Sequence, residues 1–180
     1  MTHQTQVSLL CPQTIFNIAI GDAERLLDMF DNLPNEQHKE NEVLKRAAYV
    51  MTFTAWESFF ECWIEQQVAK PLETATDDFA ANYMQSRLKN SISRLHNPTS
   101  VKVKELSKEY LQQDVTENWK WANFQPKTAC EYLDKLLSRR GDLVHQARTS
   151  TDPKHPHAVK RDDVDKAIRF LKGLVGAMVV

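Results

Sequence analysis

Apolar side chains recur along this chain at steps of three and four residues, and alternation with a period of two is scarce. This spacing places apolar residues on one face of an α-helix. Glycine, which marks tight turns, occurs at only four of 180 positions. The sequence therefore predicts an all-α fold, a bundle of about six helices around one long central helix.

Proline and short polar side chains mark the predicted helix boundaries. Pro34 ends the first helix, because proline disfavours helical geometry in the preceding residue and has no N–H to continue the helix. Pro126 suits the first turn of a later helix, and either Thr99 or Ser100 caps another. The predicted helices span residues 12–30, 36–70, 77–95, 99–112, 126–146 and 162–178, with 114–125 irregular or a short helix.

The second predicted helix is the longest and the most apolar, so we expect it to form the centre of the core. Later in the chain, Trp119 and Trp121 flank Lys120 and are interpreted either as core residues or as a surface that stacks bases. Core packing is favoured, because tryptophan usually buries its large surface. The middle of the central helix carries Tyr49, Val50, Phe53, Trp56, Phe59, Phe60 and Trp63.

Length and charge limit the possible functions. The 180 residues fit one domain, or one domain with a small appendage. We divide the chain into 1–35, an N-terminal helix that either packs on the bundle or serves a partner, and 36–180, the main helical domain. The net charge of -1 argues against a protein that coats DNA by bulk charge. Any contact with nucleic acid therefore requires a local site.

Cysteine usage and hydropathy predict a cytoplasmic protein. The cysteines at positions 11, 62 and 130 are odd in number and lack CxxC spacing, which argues against a disulfide framework and against a structural zinc site. The N-terminus lacks the features of a secretory signal, and no apolar run approaches the ~20 residues of a membrane span. We therefore expect no membrane association, no metal and no other cofactor.

The segment Arg139–His145 offers the two groups that metal-free RNA cleavage requires. The imidazole of His145 can exchange protons near neutral pH, and the guanidinium of Arg140 can hold a phosphate through paired donors. Residues five apart on a helix point ~140° from each other, so a homodimer brings the two groups together more readily than one chain. Alternatively, the arginines are solvated charges near a helix C-terminus that His145 caps.

Three stretches, in this order, resemble the HEPN superfamily, and within it the RiboL-PSP-like and MAE-type HEPN nucleases. Arg46–Phe60 resembles the family's early helix, in which an arginine opens an apolar run that ends in an aromatic-flanked glutamate. Asn97–Thr99 and Asp114–Trp119 resemble the connecting region. Leu136–His145 resembles the R-x4-6-H motif of the superfamily.

The resemblance extends over about residues 36–175 and implies a HEPN-like helical bundle. It further implies a dimer in which two R-x4-6-H segments form a shared cleft for RNA. The activity that it implies is metal-independent endoribonuclease cleavage, in which the 2′-OH of the RNA attacks the adjacent phosphate and leaves a 2′,3′-cyclic phosphate. The implied biology is a prokaryotic defence or toxin–antitoxin role, with an antitoxin or other inhibitor protein as a partner.

The resemblance also assigns residue roles. We predict that His145 exchanges protons with the 2′-OH or the leaving 5′-oxygen, and that Arg140 holds the scissile phosphate. Arg139 is either the motif arginine itself or a contact to the RNA backbone. Glu57 orients an arginine of the site, or instead forms a salt bridge with Arg46 or Lys45. The predicted catalytic residues are Arg140 and His145, and the supporting or RNA-contacting residues are Arg139, Asp142, Glu57 and Arg46.

One position departs from the family pattern. The residue after the motif arginine is often polar, commonly asparagine, whereas this chain has Gly141, with Asp142 as the nearest replacement. Glycine in a helix interior also costs about 1 kcal/mol relative to alanine. The alternative function is therefore a catalytically inert HEPN-like dimeric module that binds protein or RNA.

Overall fold

The computed structural model describes residues 11–74, 76–146 and 159–179, except for the side chains of His145 and Gln146. Across these ranges the chain forms six α-helices and two 3-10 helices and has no β-strand, so the all-α prediction is confirmed. The helices are α1 (Pro12–Asp31), α2 (Glu42–Leu72), α3 (Asp78–Ile92), α4 (Ser100–Leu111), α5 (Pro126–Gln146) and α6 (Arg161–Val179).

Side-chain caps explain where two of the helices begin. The Asp77 carboxylate accepts hydrogen bonds from the backbone N–H groups of Phe79 and Ala80 at the start of α3. The hydroxyl of Thr99 accepts the backbone N–H of Lys102, at 3.4 Å, and thereby caps α4. Because the first N–H groups of a helix have no partner within it, such caps stabilise the helix end. Thr99, and not Ser100, is therefore the cap of α4.

The start of the central helix was predicted too early, because α2 begins at Glu42 and not at residue 36. The preceding segment contains a 3-10 helix, Asn35–Gln37, followed by turns. The ring of His38 lies 4.4 Å from the ring of Phe30, centroid to centroid, and its Nε2 lies 3.0 Å from the carbonyl oxygen of Leu33. These contacts with the end of α1 keep the segment from continuing as an α-helix, which apolar spacing does not reveal.

Aromatic side chains of α2 form the centre of the core. Trp56 is fully buried, and its ring centroid lies 6.0 Å from that of Phe59 and 6.2 Å from that of Trp119. Phe16 of α1 packs edge-on against Phe59. Trp119 is thus a core residue, as favoured above, and its burial excludes it from a surface that stacks bases. The fully buried residues of α2 are Ala48, Tyr49, Thr52, Phe53, Ala55, Trp56, Phe59, Phe60 and Ile64.

Ion pairs connect the outer sides of α1 and α6. Lys172 Nζ lies 2.5 Å from Glu24 Oε1, and Arg161 Nη2 lies 2.7 Å from Asp31 Oδ2. Such exposed pairs contribute little to stability, so apolar packing of α1 on α2 and α6 dominates.

No helix in the described part of the chain is long and apolar enough to cross a membrane. The division of the chain at residue 36 stays a prediction.

The connection between α4 and α5 is mostly irregular. Gln112 ends α4 in the left-handed region, with φ 58°. Asp114 then caps a 3-10 helix, Val115–Asn118, by accepting the backbone N–H of Thr116. Asp114 Oδ2 also lies 2.6 Å from Lys104 Nζ of α4. These contacts bring the connection back onto the bundle and place Trp119 in the core.

Gly173 of α6 should tolerate no larger residue, because Trp121 lies directly on it. A Cβ atom at this position would come within 3 Å of the indole ring, which stacks on Phe124 at 4.9 Å and contacts Phe170. We expect Gly173→Ala to lower the free energy of unfolding by about 1–3 kcal/mol, as overpacking does. Urea denaturation measures this change.

The matched control for that substitution is Gly176→Ala, one turn further along α6. A Cβ atom at Gly176 would meet no other atom within 4 Å. Alanine favours a helix over glycine by up to about 1 kcal/mol, so this variant should be as stable as the original chain or more stable. Equal effects of the two substitutions would contradict the expected clash with Trp121.

Candidate functional site

Arg140 of α5 contacts two residues that are distant in sequence. Its Nη1 donates a hydrogen bond to the side-chain oxygen of Asn97, and its Nη2 lies 3.8 Å from Glu57 Oε2 of α2. The side chains of Arg140 and Glu57 are 19% and 20% exposed. Neighbouring residues therefore surround most of each side chain, while solvent still reaches part of it. The Nε atom of Arg140 is buried and has no hydrogen-bond partner among the described residues.

Asn97 lies in a short loop between α3 and α4 that two helices hold in place. The indole N–H of Trp56 in α2 donates to the carbonyl oxygen of Pro98, at 2.9 Å. Asp134 of α5 accepts both the backbone N–H of Ser100, at 2.8 Å, and its hydroxyl, at 2.5 Å. The loop therefore lies between α2 and α5, where Asn97 can contact Arg140.

Glutamates on one side of α2 give this region a negative potential. Burial raises the pKa of Glu61, and the nearby charges of Glu57 and Glu65 raise it further, while His96 acts in the opposite direction. Arg140 supplies the positive charge that pairs with Glu57. Glu57 therefore contacts Arg140, and its orienting role stays a prediction. Among the described residues Lys45 pairs with Glu42 instead of Glu57, and the alternative pairing with Arg46 stays a prediction.

The neighbouring Arg139 is directed to a different helix. Its Nη2 donates to Asp163 Oδ2 of α6 at 2.7 Å, and its guanidinium carbon lies 5.9 Å from the ring centroid of Tyr49. Burial alone would raise the pKa of Asp163, but the hydrogen bond and charge of Arg139 lower it more, and the net pKa is below its usual value. Arg139 thus connects α5 to α6, and Arg140 connects α5 to α2 and the Asn97 loop.

Tyr49 of α2 holds α5 in place next to the two arginines. Its hydroxyl donates to the carbonyl oxygen of Leu136, at 3.1 Å. Burial is the main reason that its pKa is raised, with a smaller opposing effect of Arg139. The hydroxyl therefore stays protonated at neutral pH and acts as a hydrogen-bond donor that fixes α5 on α2.

The remaining predicted site residues are distributed along α5 and α2. His145 lies in the last turn of α5, but its side chain lies outside the described residues. Asp142 is exposed, and a Cβ atom at Gly141 would meet nothing within 4 Å. Arg46 is half-buried, and its Nε is buried without a hydrogen-bond partner in the described part of the chain. The roles of Asp142 and Arg46 stay predictions.

The described side chains offer no cluster of metal ligands. Within residues 11–74, 76–146 and 159–179, no three His, Cys, Asp or Glu side chains are grouped as metal ligands would be. The site described above is built from one guanidinium, one carboxylate and one amide. This combination can bind an anion next to a polar loop, and the guanidinium is the group that would contact it.

The sequence did not single out Asn97 as a site residue. It appeared there only as part of a connecting region, and its contact with Arg140 spans 43 positions in the chain. The sequence does carry a conformational signal at this position, because asparagine tolerates the left-handed backbone better than most residues. Asn97 indeed has φ 53°. A residue of this type before a proline indicates a turn, but it does not reveal what the turn contacts.

Comparison with known proteins gives one positive result. A family model described as RiboL-PSP-HEPN matches residues 19–179, which extend from within α1 to the end of α6. No curated protein and no solved structure matches the chain. The matched region contains Glu57, Asn97 and Arg140, and it also contains position 145.

Proposed function

This chain belongs to the RiboL-PSP-HEPN family, and we propose that it is a metal-independent endoribonuclease. The observation that carries the proposal is the placement of Arg140. This arginine begins the R-x4-H segment of α5, is held by Glu57 and Asn97, and stays partly open to solvent. A guanidinium in such a position is suited to a phosphate, because its donors are planar and always charged.

In the proposed reaction the RNA supplies its own nucleophile. The 2′-oxygen gives its proton to an imidazole and forms a bond to the adjacent phosphorus, while the bond from phosphorus to the 5′-oxygen breaks. The leaving 5′-oxygen takes a proton, so the products are a 2′,3′-cyclic phosphate and a 5′-OH, and no water is consumed. His145 exchanges these protons, and Arg140 stabilises the charge that grows on the phosphate.

Three other residues are assigned roles in this proposal. Glu57 orients Arg140, since its carboxylate is the charged group next to that guanidinium. Arg139 contacts the RNA backbone only if it leaves Asp163, so we assign it first to the packing of α5 against α6. Asp142 is exposed on the same helix and would contact RNA or substitute for the side chain that Gly141 lacks.

A homodimer is part of the proposal. Arg140 and His145 lie about 7.5 Å apart along the axis of α5 and point ~140° from each other on an ideal helix. Two copies of α5 that meet at a twofold axis would place the arginine of one chain near the histidine of the other. The family resemblance supports a role in prokaryotic defence or in a toxin–antitoxin pair, with an inhibitor protein as partner, and the cysteine usage supports a cytoplasmic location.

Cellular RNA incubated with the purified protein in EDTA tests the chemistry. We expect cleavage that EDTA does not inhibit, with 5′-OH ends that a polynucleotide kinase labels without prior phosphatase treatment. The new 3′ ends should resist ligation to a 5′-phosphorylated adapter until the cyclic phosphate is opened and the resulting phosphate is removed to leave a 3′-OH. A parallel preparation of His145→Ala controls for contaminating ribonucleases, because that variant should cut the RNA far more slowly.

The second candidate function is an inert module that binds protein or RNA through the same surface. Two observations favour it. Gly141 contributes no side chain after the motif arginine, and the carboxylate of Glu57 competes with phosphate for Arg140. RNA that stays intact at high protein concentration, with or without binding, would support the module and contradict the nuclease.

A further inference from the structure

We propose that Asn97 is a positioning residue for Arg140. The inference rests on the proposed function, because it assumes that Arg140 holds the scissile phosphate. The side-chain oxygen of Asn97 accepts a hydrogen bond from Arg140 Nη1, and this contact keeps the guanidinium from turning fully toward Glu57. Asn97 therefore acts on the reaction through Arg140 and needs no contact with RNA.

Three contacts join Asn97, Arg140 and Glu57 into a closed ring. The backbone N–H of Asn97 donates to Glu57 Oε1 at 3.0 Å, while Glu57 Oε2 lies 3.8 Å from Arg140 Nη2. The side-chain contact from Arg140 to Asn97 completes the ring. One carboxylate oxygen of Glu57 is thus engaged by the loop, which leaves only the longer contact for Arg140. The ring limits how strongly Glu57 can compete with a phosphate.

The backbone of Asn97 is held in a conformation that most residues avoid. Its φ is 53°, in the left-handed region, which costs most L-residues roughly 1–2 kcal/mol and costs asparagine less. The loop is anchored on both sides, by Trp56 at Pro98 and by Asp134 at Ser100. These anchors fix the backbone so that the side chain of Asn97 meets Arg140.

A simpler explanation assigns Asn97 only a turn-forming role. In that case its side chain is irrelevant, and glycine would serve equally well or better, because glycine adopts a left-handed backbone without steric cost. If Asn97 positions Arg140, substitution by glycine should instead lower the rate of RNA cleavage. Substitution by glycine therefore separates the two explanations, since it keeps the backbone and removes the amide.

The experiment compares Asn97→Gly with Gln112→Gly as a matched control. The backbone of Gln112 is also left-handed, with φ 58°, but this residue ends α4 and its amide donates to the nearby carbonyl of Glu109, at 3.2 Å. Both variants should keep the thermal stability of the original chain or exceed it. Only Asn97→Gly should lower kcat for RNA cleavage, by about 10- to 100-fold, with little change in KM.

Asn97→Asp is the conservative variant that should rescue the function. Aspartate keeps the size of the side chain and an oxygen at the position of the acceptor, so it can still bond to Arg140. We expect kcat closer to that of the original chain than to that of Asn97→Gly. Cleavage by Asn97→Gly at the original rate would overturn the positioning role, as would equal losses in Asn97→Gly and Gln112→Gly.

A measurement that does not depend on cleavage separates this inference from the proposed function. The Nε–Hε resonance of Arg140 can be assigned by NMR through its loss in Arg140→Lys. Because Nε is buried, we expect slow exchange with water in the original chain and much faster exchange in Asn97→Gly. If the original chain does not cut RNA, the proposed function fails, and this exchange rate still decides whether Asn97 positions Arg140. Unchanged exchange would overturn the inference.

Discussion

Replacing His145 with alanine is expected to lower the rate of RNA cleavage by about 100- to 10,000-fold, which is the usual contribution of a general acid–base group. The reason is that no other group in the proposed mechanism accepts the proton of the 2′-OH. The measurement is the initial rate of cleavage of a labelled RNA in EDTA. Far-ultraviolet circular dichroism should show unchanged helical content, because position 145 lies in the last turn of α5.

The matched control is Val144→Ala, the neighbouring position on the same helical turn. Val144 is 48% exposed, so its truncation should change neither the fold nor the cleavage rate appreciably. A mixture of Arg140→Ala and His145→Ala chains provides a test of the dimer, since mixed dimers would hold one intact arginine and one intact histidine. Undiminished cleavage by His145→Ala would contradict the assignment of the imidazole.

Replacing Trp56 with alanine is expected to have the largest effect on stability, a loss of about 3–5 kcal/mol in the free energy of unfolding. Trp56 is fully buried and contacts Phe59, Phe60 and Trp119, so alanine would leave a large cavity at the centre of the bundle. The same substitution removes the hydrogen bond to the carbonyl of Pro98, which anchors the loop of Asn97. Chemical denaturation followed by circular dichroism measures the loss.

Trp56→Phe distinguishes the two contributions of this residue. Phenylalanine keeps most of the aromatic packing but leaves the buried carbonyl of Pro98 without its donor, which should cost about 1–3 kcal/mol. Because the loop of Asn97 then loses one of its anchors, the rate of RNA cleavage should fall by more than the fraction of unfolded protein accounts for. A Trp56→Ala chain within about 1 kcal/mol of the original would contradict the central role of this side chain.

Apolar spacing predicted the helices well, since it reflects which face of each helix is buried. The residues proposed for the core of α2 are nearly all buried, and α5 spans the same residues as predicted. The first turn of α2 could not be predicted, because His38 is held by Phe30 and Leu33 at the end of another helix. Spacing within one segment carries no information about such contacts.

The candidate site was likewise predictable only in those features that are local in the sequence. The sequence by itself determined the all-α class, the central aromatic helix and the presence of an arginine five residues before a histidine, because these depend on residues within a few turns of each other. Only the tertiary structure decided that Arg139 pairs with Asp163 while Arg140 contacts Asn97 and Glu57. The partners of Arg140 lie 43 and more positions away, so the contacts depend on how α2, the Asn97 loop and α5 pack together, which no local pattern specifies.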